Sequence, residues 1–287
     1  MKRLKMRQVG IIVLTVIVFA GVTIVGIGSV IFKNDFNVIA TNVLSNSIKK
    51  PDVVIEENLA DLPATVQRYL RFTGIVGSER VYTVRLEQKG NLRQTPEDSW
   101  KSITAVEYFS VNPPAFVWKG QMAVGPFSII SARDSYMNNN GHMFIKMLGI
   151  KTIGDVQGEE MDYSSLVRYL NEMMWFPAAF LNDNIQWEAI NDNSARVTIT
   201  NNNKSASAIL YFDEKGAITN FAGYRYHEVN GVYVKDAWET PMTEYGEFND
   251  LKLPVKGEAV WKMSGGDFNY INLEITDIEY NIVEIFR

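Results

Sequence analysis

The hydrophobic pattern along this chain has three periods, and each period predicts a different structure. The first is continuous, because 24 consecutive residues from Val9 to Phe32 carry no charge. As a helix this run spans about 36 Å, more than the roughly 30 Å hydrocarbon core of a bilayer. Residues 1–8 carry four basic side chains, which favour the cytoplasmic side of a membrane. The pattern predicts a single-pass anchor in the cell membrane, with a cytoplasmic tail at 1–8 and an extracytoplasmic C-terminal part.

A cleaved signal peptide is the alternative to this anchor. Its apolar region is shorter, about 7–15 residues, and it ends in small residues at a cleavage site. The sequence Val30–Asn34 contains no such small residues. We therefore expect an uncleaved transmembrane helix over 9–32, an irregular tether over 33–58 and one β-rich domain over 59–287.

The second period is helical and occurs twice after the anchor. Apolar residues from Leu62 to Leu70 share one helix face, and Gly74 ends that segment. After Asp162, apolar positions 166, 167, 170, 173 and 174 repeat at the same spacing until Pro177. Each segment is typical of an amphipathic helix packed on a core.

The third period is two residues, which predicts strands separated by short turns. Between them, Trp238–Pro254 is expected to be a long loop. A dozen strands with two helices favour an α+β fold, a mostly antiparallel, strongly curved sheet or incomplete β-barrel under two covering helices. The predicted strands are Arg80–Gln88, Trp100–Ser110, Ala115–Val124, Phe127–Tyr136, His142–Leu148, Ile185–Ile190, Ala195–Thr200, Ser205–Asp213, Ala217–Tyr226, Val232–Ala237, Val255–Met263 and Tyr270–Ile285.

The composition argues against several classes of function. The chain carries −5, so residues 9–287 carry −9 once the +4 of the tail is subtracted. An acidic domain of this kind argues against nucleic acid as a partner. Without cysteine, disulfides and thiol catalysis are excluded. His142 and His227 are the only histidines and lack metal-ligand spacing, so we assign no metal, no cofactor and no catalytic residue.

Methionine is concentrated in one part of the chain. Six of the eleven methionines fall within the 38 residues from 137 to 174, next to an aromatic stretch. Methionine adapts to variable apolar shapes, so the cluster is typical either of a packed core or of a cavity for an apolar ligand. The ligand-binding candidates are Met137, Met143, Met147, Leu170, Met173, Met174, Trp175, Phe176 and Phe180.

Four short motifs resemble a bacterial family of uncharacterised membrane-associated proteins. They are Leu62–Leu70, Gly90–Arg93, Arg168–Glu172 and Trp175–Ala179. The resemblance covers most of the region from Leu62 to Ile285 and implies no particular activity. At the level of architecture, the order of helices and strands is similar to that of the periplasmic lipoprotein carriers, which implies a half-open barrel that holds acyl chains under helices.

These observations favour a membrane-anchored, extracytoplasmic binding or carrier domain for an apolar ligand: a lipid, an acyl chain or a hydrophobic peptide. The anchor makes the bilayer a partner through residues 9–32. A non-catalytic module that docks another envelope protein is the alternative. An extracytoplasmic hydrolase using Asp134, Glu172 or His142 is a second alternative, since these groups are close in sequence to the proposed cavity.

Overall fold

The computed structural model describes residues 2–50, 52–124, 127–229 and 231–286. The side chains of residues 1–7, which carry the charges of the expected cytoplasmic tail, lie outside the described residues. The helices are α1 (Lys2–Ser45), α2 (Ala64–Thr73) and α3 (Glu159–Glu172), with shorter 3-10 turns at Glu56–Leu59, Met173–Trp175 and Pro177–Leu181.

The strands are β1 (Thr83–Leu92), β2 (Lys101–Ser110), β3 (Ala115–Val124), β4 (Phe127–Met137), β5 (Asn140–Met147), β6 (Lys151–Val156), β7 (Ile185–Asn191), β8 (Ser194–Asn201), β9 (Lys204–Phe212), β10 (Ile218–Val229), β11 (Val232–Phe248), β12 (Leu251–Met263) and β13 (Gly266–Tyr280).

Within the described residues, the 13 strands form one curved, unclosed antiparallel sheet in the order β6-β5-β4-β3-β2-β1-β13-β12-β11-β10-β9-β8-β7. Two meanders therefore meet where β1 pairs with β13, and β6 and β7 are the free edges. Both α2 and α3 lie against the concave face, where the main core forms. The predicted fold class is confirmed.

The sheet extends further than the sequence pattern indicates. The expected loop over Trp238–Pro254 is instead the continuous pair β11 and β12, joined at Asn249 and Asp250, whose φ angles are 50° and 63°. Polar residues and register shifts interrupt the alternation in this pair, which hid the strands from a search for period two. The edge strand β6 was also not predicted. Most of its side chains are exposed, so it lacks a buried apolar face.

Helix α1 differs from the expected irregular tether. It continues past Phe32 to Ser45, and its last turns pack on the outer face of the sheet. Phe36, Ala40, Val43 and Leu44 repeat at helical spacing and are buried against β2 and β3. The intervening Asn and Asp residues lie on the opposite side of this short stripe, which disguised its helical period.

Part of α1 is long and apolar enough to cross a membrane: Gly10–Ser45 meets this test by length and composition. From residue 10 to 27 the described side chains are exposed or half-exposed, and the sheet covers the helix only beyond that point. The two parts of α1 thus have different surroundings in this structure.

Candidate functional site

A cavity of about 250 Å³ lies between the concave face of the sheet and the C-terminal half of α3. Its volume is near the lower end of the roughly 300–1,000 Å³ typical of small-molecule sites. Its apolar lining residues are Leu92, Trp118, Ala132, Met143, Ile145, Met174, Trp175, Trp238, Met242, Pro254, Val255, Ala259, Tyr270, Ile271, Leu273 and Ile275.

Three tryptophans hold fixed positions in this lining because each indole N–H has a partner. Trp118 donates to Gln88 Oε1 at 2.9 Å, Trp175 donates to the Pro254 carbonyl at 3.1 Å and Trp238 donates to the Tyr270 hydroxyl at 3.2 Å. With the polar atom of each ring already bonded, what remains for a ligand is apolar ring surface. The aromatic part of the cavity is therefore preformed.

The polar part of the cavity wall is centred on Arg168 of α3. Its guanidinium contacts Glu107 at 2.9 Å, Asp134 at 2.7 Å and Glu172 at 2.8 Å. These carboxylates come from β2, β4 and α3, so one side chain ties the helix to two strands. Arg168 is 12% exposed, while Glu107 and Asp134 are 0% and 1% exposed. A buried charge network of this kind requires every partner to remain in place.

One guanidinium does not neutralise three carboxylates. Burial raises the pKa of Glu107 well above its ordinary value, and the neighbouring Glu172 and Asp134 raise it further. Burial likewise raises the pKa of Glu172, against the opposing effect of Arg168. Glu107 and Glu172 each have an oxygen without a partner in the described part of the chain, and their carboxyl groups lie within hydrogen-bonding reach. A proton shared between them would satisfy both groups and reduce the buried negative charge.

A second arginine, Arg225 on β10, also lines the cavity. Its guanidinium lies over the Trp238 ring at 4.6 Å, and its Nε has no hydrogen-bond partner within the described residues. It lowers the pKa of Glu172 by its charge, which places it beside the Arg168 network. The cavity thus has an apolar body and a cationic donor beside its polar wall.

The sequence-predicted ligand residues separate into three groups. Met143, Met174 and Trp175 line the cavity. Leu170, Met173, Phe176 and Phe180 are buried in the main core and contribute no lining. Met137 packs with the cluster under α1, and Met147 is exposed at the end of β5.

The structure does not bring the three candidate catalytic residues, Asp134, Glu172 and His142, together in the cavity. His142 contacts Arg133 and Asp155 rather than the cavity, because strand alternation turns it away from the face that carries Met143. Asp134 and Glu172 do line the cavity, but each accepts a charged hydrogen bond from Arg168. This arrangement resembles a structural ion network rather than a nucleophile with an activating base. Among the described residues no group of three potential ligands could hold a metal ion.

Arg168 and Glu107 were not among the residues predicted for the site, although the sequence position of each is informative. Glu107 occupies the inward phase of a strand whose other inward residues are Ile103, Ala105 and Phe109. An acidic residue in an apolar phase indicates a buried partner. Arg168 and Glu172 are four residues apart on a helix with a buried face, the spacing of an ion pair.

Two solved structures are similar in outline to this chain. One is a DUF1329 family protein from Desulfovibrio piger, with a TM-score of 0.45 and 7% identity, covering 76% of this chain and 92% of that protein. The other is a LolA superfamily protein from Nitrosomonas europaea, with a TM-score of 0.41 and 8% identity, covering 76% and 93%. No curated protein matches the chain. A family model described as a family of unknown function, DUF6544, matches residues 52–273, and the chain belongs to that family.

Proposed function

We propose that this protein is a membrane-anchored extracytoplasmic domain that binds the acyl chain of a lipid or fatty acid in the cavity under α3. The observation that carries the proposal is the cavity itself, an apolar space walled by fixed indole rings and flexible methionines. Preformed apolar pockets with a few polar groups are the usual form of small-molecule sites.

The size of the cavity favours one chain over a whole lipid. At about 250 Å³ it is smaller than most sites that enclose a drug-sized molecule. Met143 lines the cavity from β5 and Met174 from the turn after α3, and both flexible side chains can adjust to chains of different length and unsaturation. Leu170, Met173, Phe176 and Phe180 support this wall from behind by packing the helix on the core.

The polar end of the ligand faces Arg225 in this proposal. The Arg225 side chain lines the cavity, and its guanidinium offers N–H donors to a carboxylate or ester oxygen. The Arg168 network is already engaged with its own carboxylates, so it serves to hold α3 over the cavity. Its role is therefore positioning.

Residues 9–32 anchor the domain in the bilayer from which such chains come. The uncovered part of α1 and the basic residues that precede it support this arrangement, with the domain on the extracytoplasmic side.

Native mass spectrometry of the full chain, purified from its membrane in lipid nanodiscs, tests the proposal. We expect bound species with the mass of a fatty acid or lipid on the wild-type chain. Ala259→Phe places a ring in the cavity and should remove them, whereas Ile190→Phe on an exposed edge strand should retain them. Equal occupancy of the two variants would show that the bound lipid lies elsewhere.

A second measurement on the same variants addresses the polar end. Arg225→Met should weaken uptake of dodecanoic acid and leave uptake of the uncharged dodecanol unchanged. Equal weakening of both ligands would assign Arg225 to the packing of Trp238 alone.

A further inference from the structure

The hairpin between β5 and β6 ends in an exposed apolar tip, Met147-Leu148-Gly149-Ile150. Met147, Leu148 and Ile150 are 38%, 37% and 46% exposed. The turn is tight, with Ile150 N–H donating to the Met147 carbonyl at 3.1 Å. Leu148 has φ 52° and Gly149 has φ 69°. Two consecutive residues in this left-handed region are the mark of a hairpin turn that favours Asn-Gly, and a branched apolar residue is unfavourable at the first of them.

Other tight turns of this sheet carry the residues that the conformation favours. Asn138 and Asn139 have φ 53° and 66°, and Asn249 and Asp250 have φ 50° and 63°. The left-handed conformation costs most L-residues roughly 1–2 kcal/mol, a cost that Asn and Asp reduce by local hydrogen bonds. Leucine at position 148 is therefore not explained by the stability of its own turn.

The tip contacts α1 at Gly28. A Cβ on Gly28 would meet the Gly149 carbonyl oxygen at 2.6 Å, so the helix and the turn touch through their backbones. Four residues further along α1, Phe32 stacks on Phe144 of β5 with ring centroids 6.3 Å apart. Contact between helix and sheet thus begins at Gly28 and continues toward Ser45.

The contact at Gly28 coincides with the expected surface of the hydrocarbon core. The uncovered stretch of α1 from residue 10 to 27 is 18 residues long, or about 27 Å as a helix, close to the roughly 30 Å thickness of the core. A bilayer centred on that stretch would end at about Gly28, beside Leu148 and Ile150. Ile129 and Ile153, which are 36% and 41% exposed on the adjoining strands, extend the apolar surface.

Basic residues lie next to the apolar tip in sequence and on the facing helix. Lys146 and Lys151 flank it in sequence, and Lys33 lies on α1 just beyond the apolar run. Lys33 is close enough to Lys119 on β3 to lower the pKa of that ammonium group, in addition to the larger effect of burial. A lysine near an anionic membrane surface contributes about 1 kcal/mol. The remainder of the domain is acidic, so this cluster marks one face.

We infer that the β5–β6 tip inserts into the outer leaflet of the bilayer that α1 crosses, with Leu148 and Ile150 among the acyl chains and the lysines among anionic head groups. The inference rests on the proposed membrane anchor. Because β1 to β6 form an antiparallel meander, the β1–β2 connection lies at the same end of the strands as this tip. Leu92, the last residue of β1, lines the cavity, so insertion brings the cavity wall near the leaflet.

The absence of cysteine makes a direct test available. Leu148→Cys, Ile190→Cys and Ile17→Cys are made separately in the full chain, labelled with an environment-sensitive dye and placed in nanodiscs containing phosphatidylglycerol. Quenching by spin-labelled lipid then reports contact with the acyl region. Ile190 is the control for Leu148, since both are exposed, at 44% and 37%, and Ile17 lies in the uncovered part of α1.

We expect strong quenching at positions 17 and 148 and none at 190. Quenching at 17 but not at 148 would overturn tip insertion while the anchor stands. No quenching at 17 would overturn the anchor and the inference together. Quenching at all three positions would show that the domain has no fixed docking face.

A stability measurement completes the test. Leu148→Asn supplies the residue that the turn favours, so the midpoint of denaturant unfolding should stay the same or rise. In the same variant, a dye at Ile150→Cys should lose most of its quenching by lipid. Retained quenching would overturn a role for Leu148 in insertion.

Discussion

The segment that runs from α3 to Leu181 has two sides, and they differ in what they face. On one side Leu170, Met173 and Phe176 are packed into the core at 0–1% exposure. On the other, Met174 and Trp175 face an open cavity beside Arg168. Met173 and Met174 are adjacent residues of the same type, and each is 1% exposed. Residue type therefore does not decide between packing and ligand binding; the direction of each side chain does.

The stability of the domain should be more sensitive to truncation of side chains on the core-facing side of this segment. Phe176 lies 5.0 Å from Phe109 and 5.9 Å from Tyr169, measured between ring centroids. Phe176→Ala should lower the free energy of unfolding by about 3–5 kcal/mol, because it removes a buried ring and leaves a void. Denaturant unfolding of the full chain in amphipol measures the loss. A change below about 1 kcal/mol would mean that this side is not tightly packed.

The ion network should be nearly as sensitive. Arg168→Met leaves Glu107, Asp134 and Glu172 buried without their counter-charge, so we expect a loss of about 3–5 kcal/mol at pH 7. Arg196→Met is the control, since it breaks an exposed pair with Glu188 and should cost no more than about 1 kcal/mol. Similar losses in the two variants would contradict a tightly coupled buried network.

The same network predicts a pH dependence with a definite sign. The pKa of Glu107 is raised in the folded chain, so the folded state holds a proton that the unfolded state releases. The stabilisation from this group is complete below the ordinary pKa of glutamate. It is lost as pH rises through the folded pKa, at up to about 1.4 kcal/mol per pH unit.

Glu107→Gln should remove this dependence, so the wild-type chain should lose more stability than the variant between pH 5 and 8. Unfolding midpoints at each pH measure the difference. Parallel curves would show that Glu107 titrates normally.

The smallest effect on stability should come from enlarging Met174. Met174→Phe places a larger side chain in an existing cavity and should change the free energy of unfolding by less than about 1.5 kcal/mol. Met173→Phe has no such space and should cost about 1–3 kcal/mol by overpacking. A comparison of their unfolding curves is the measurement, and a reversed order would invert the assignment of the two sides.

Periodicity was sufficient to predict the curved antiparallel sheet and both covering helices. It failed where long-range contacts decide the structure. The stripe of α1 beyond Phe32 is helical because β2 and β3 cover it, and β11 and β12 persist through bulges because each pairs with neighbours on both sides. Such support is not visible in a local window.

Part of the site was predictable for the same reason. The concentration of methionine pointed to residues that the structure brings together, because Met143 and Met174 line the same cavity. The β11–β13 walls and two partners of Arg168, Glu107 and Asp134, come from residues far from it in sequence. The charge of Glu107 in an apolar phase and the i, i+4 spacing of Arg168 and Glu172 were the sequence signals of the ion network.

Contact between an acyl chain and the cavity tryptophans is the most direct test of the account. Trp118, Trp175 and Trp238 line the cavity, so 12-bromododecanoic acid bound there should quench their fluorescence. With the full chain in amphipol, we expect saturable quenching at one ligand per chain, lost in Met174→Phe and retained in Ile190→Phe. Quenching that is unsaturable, or equal in both variants, would contradict ligand binding in this cavity.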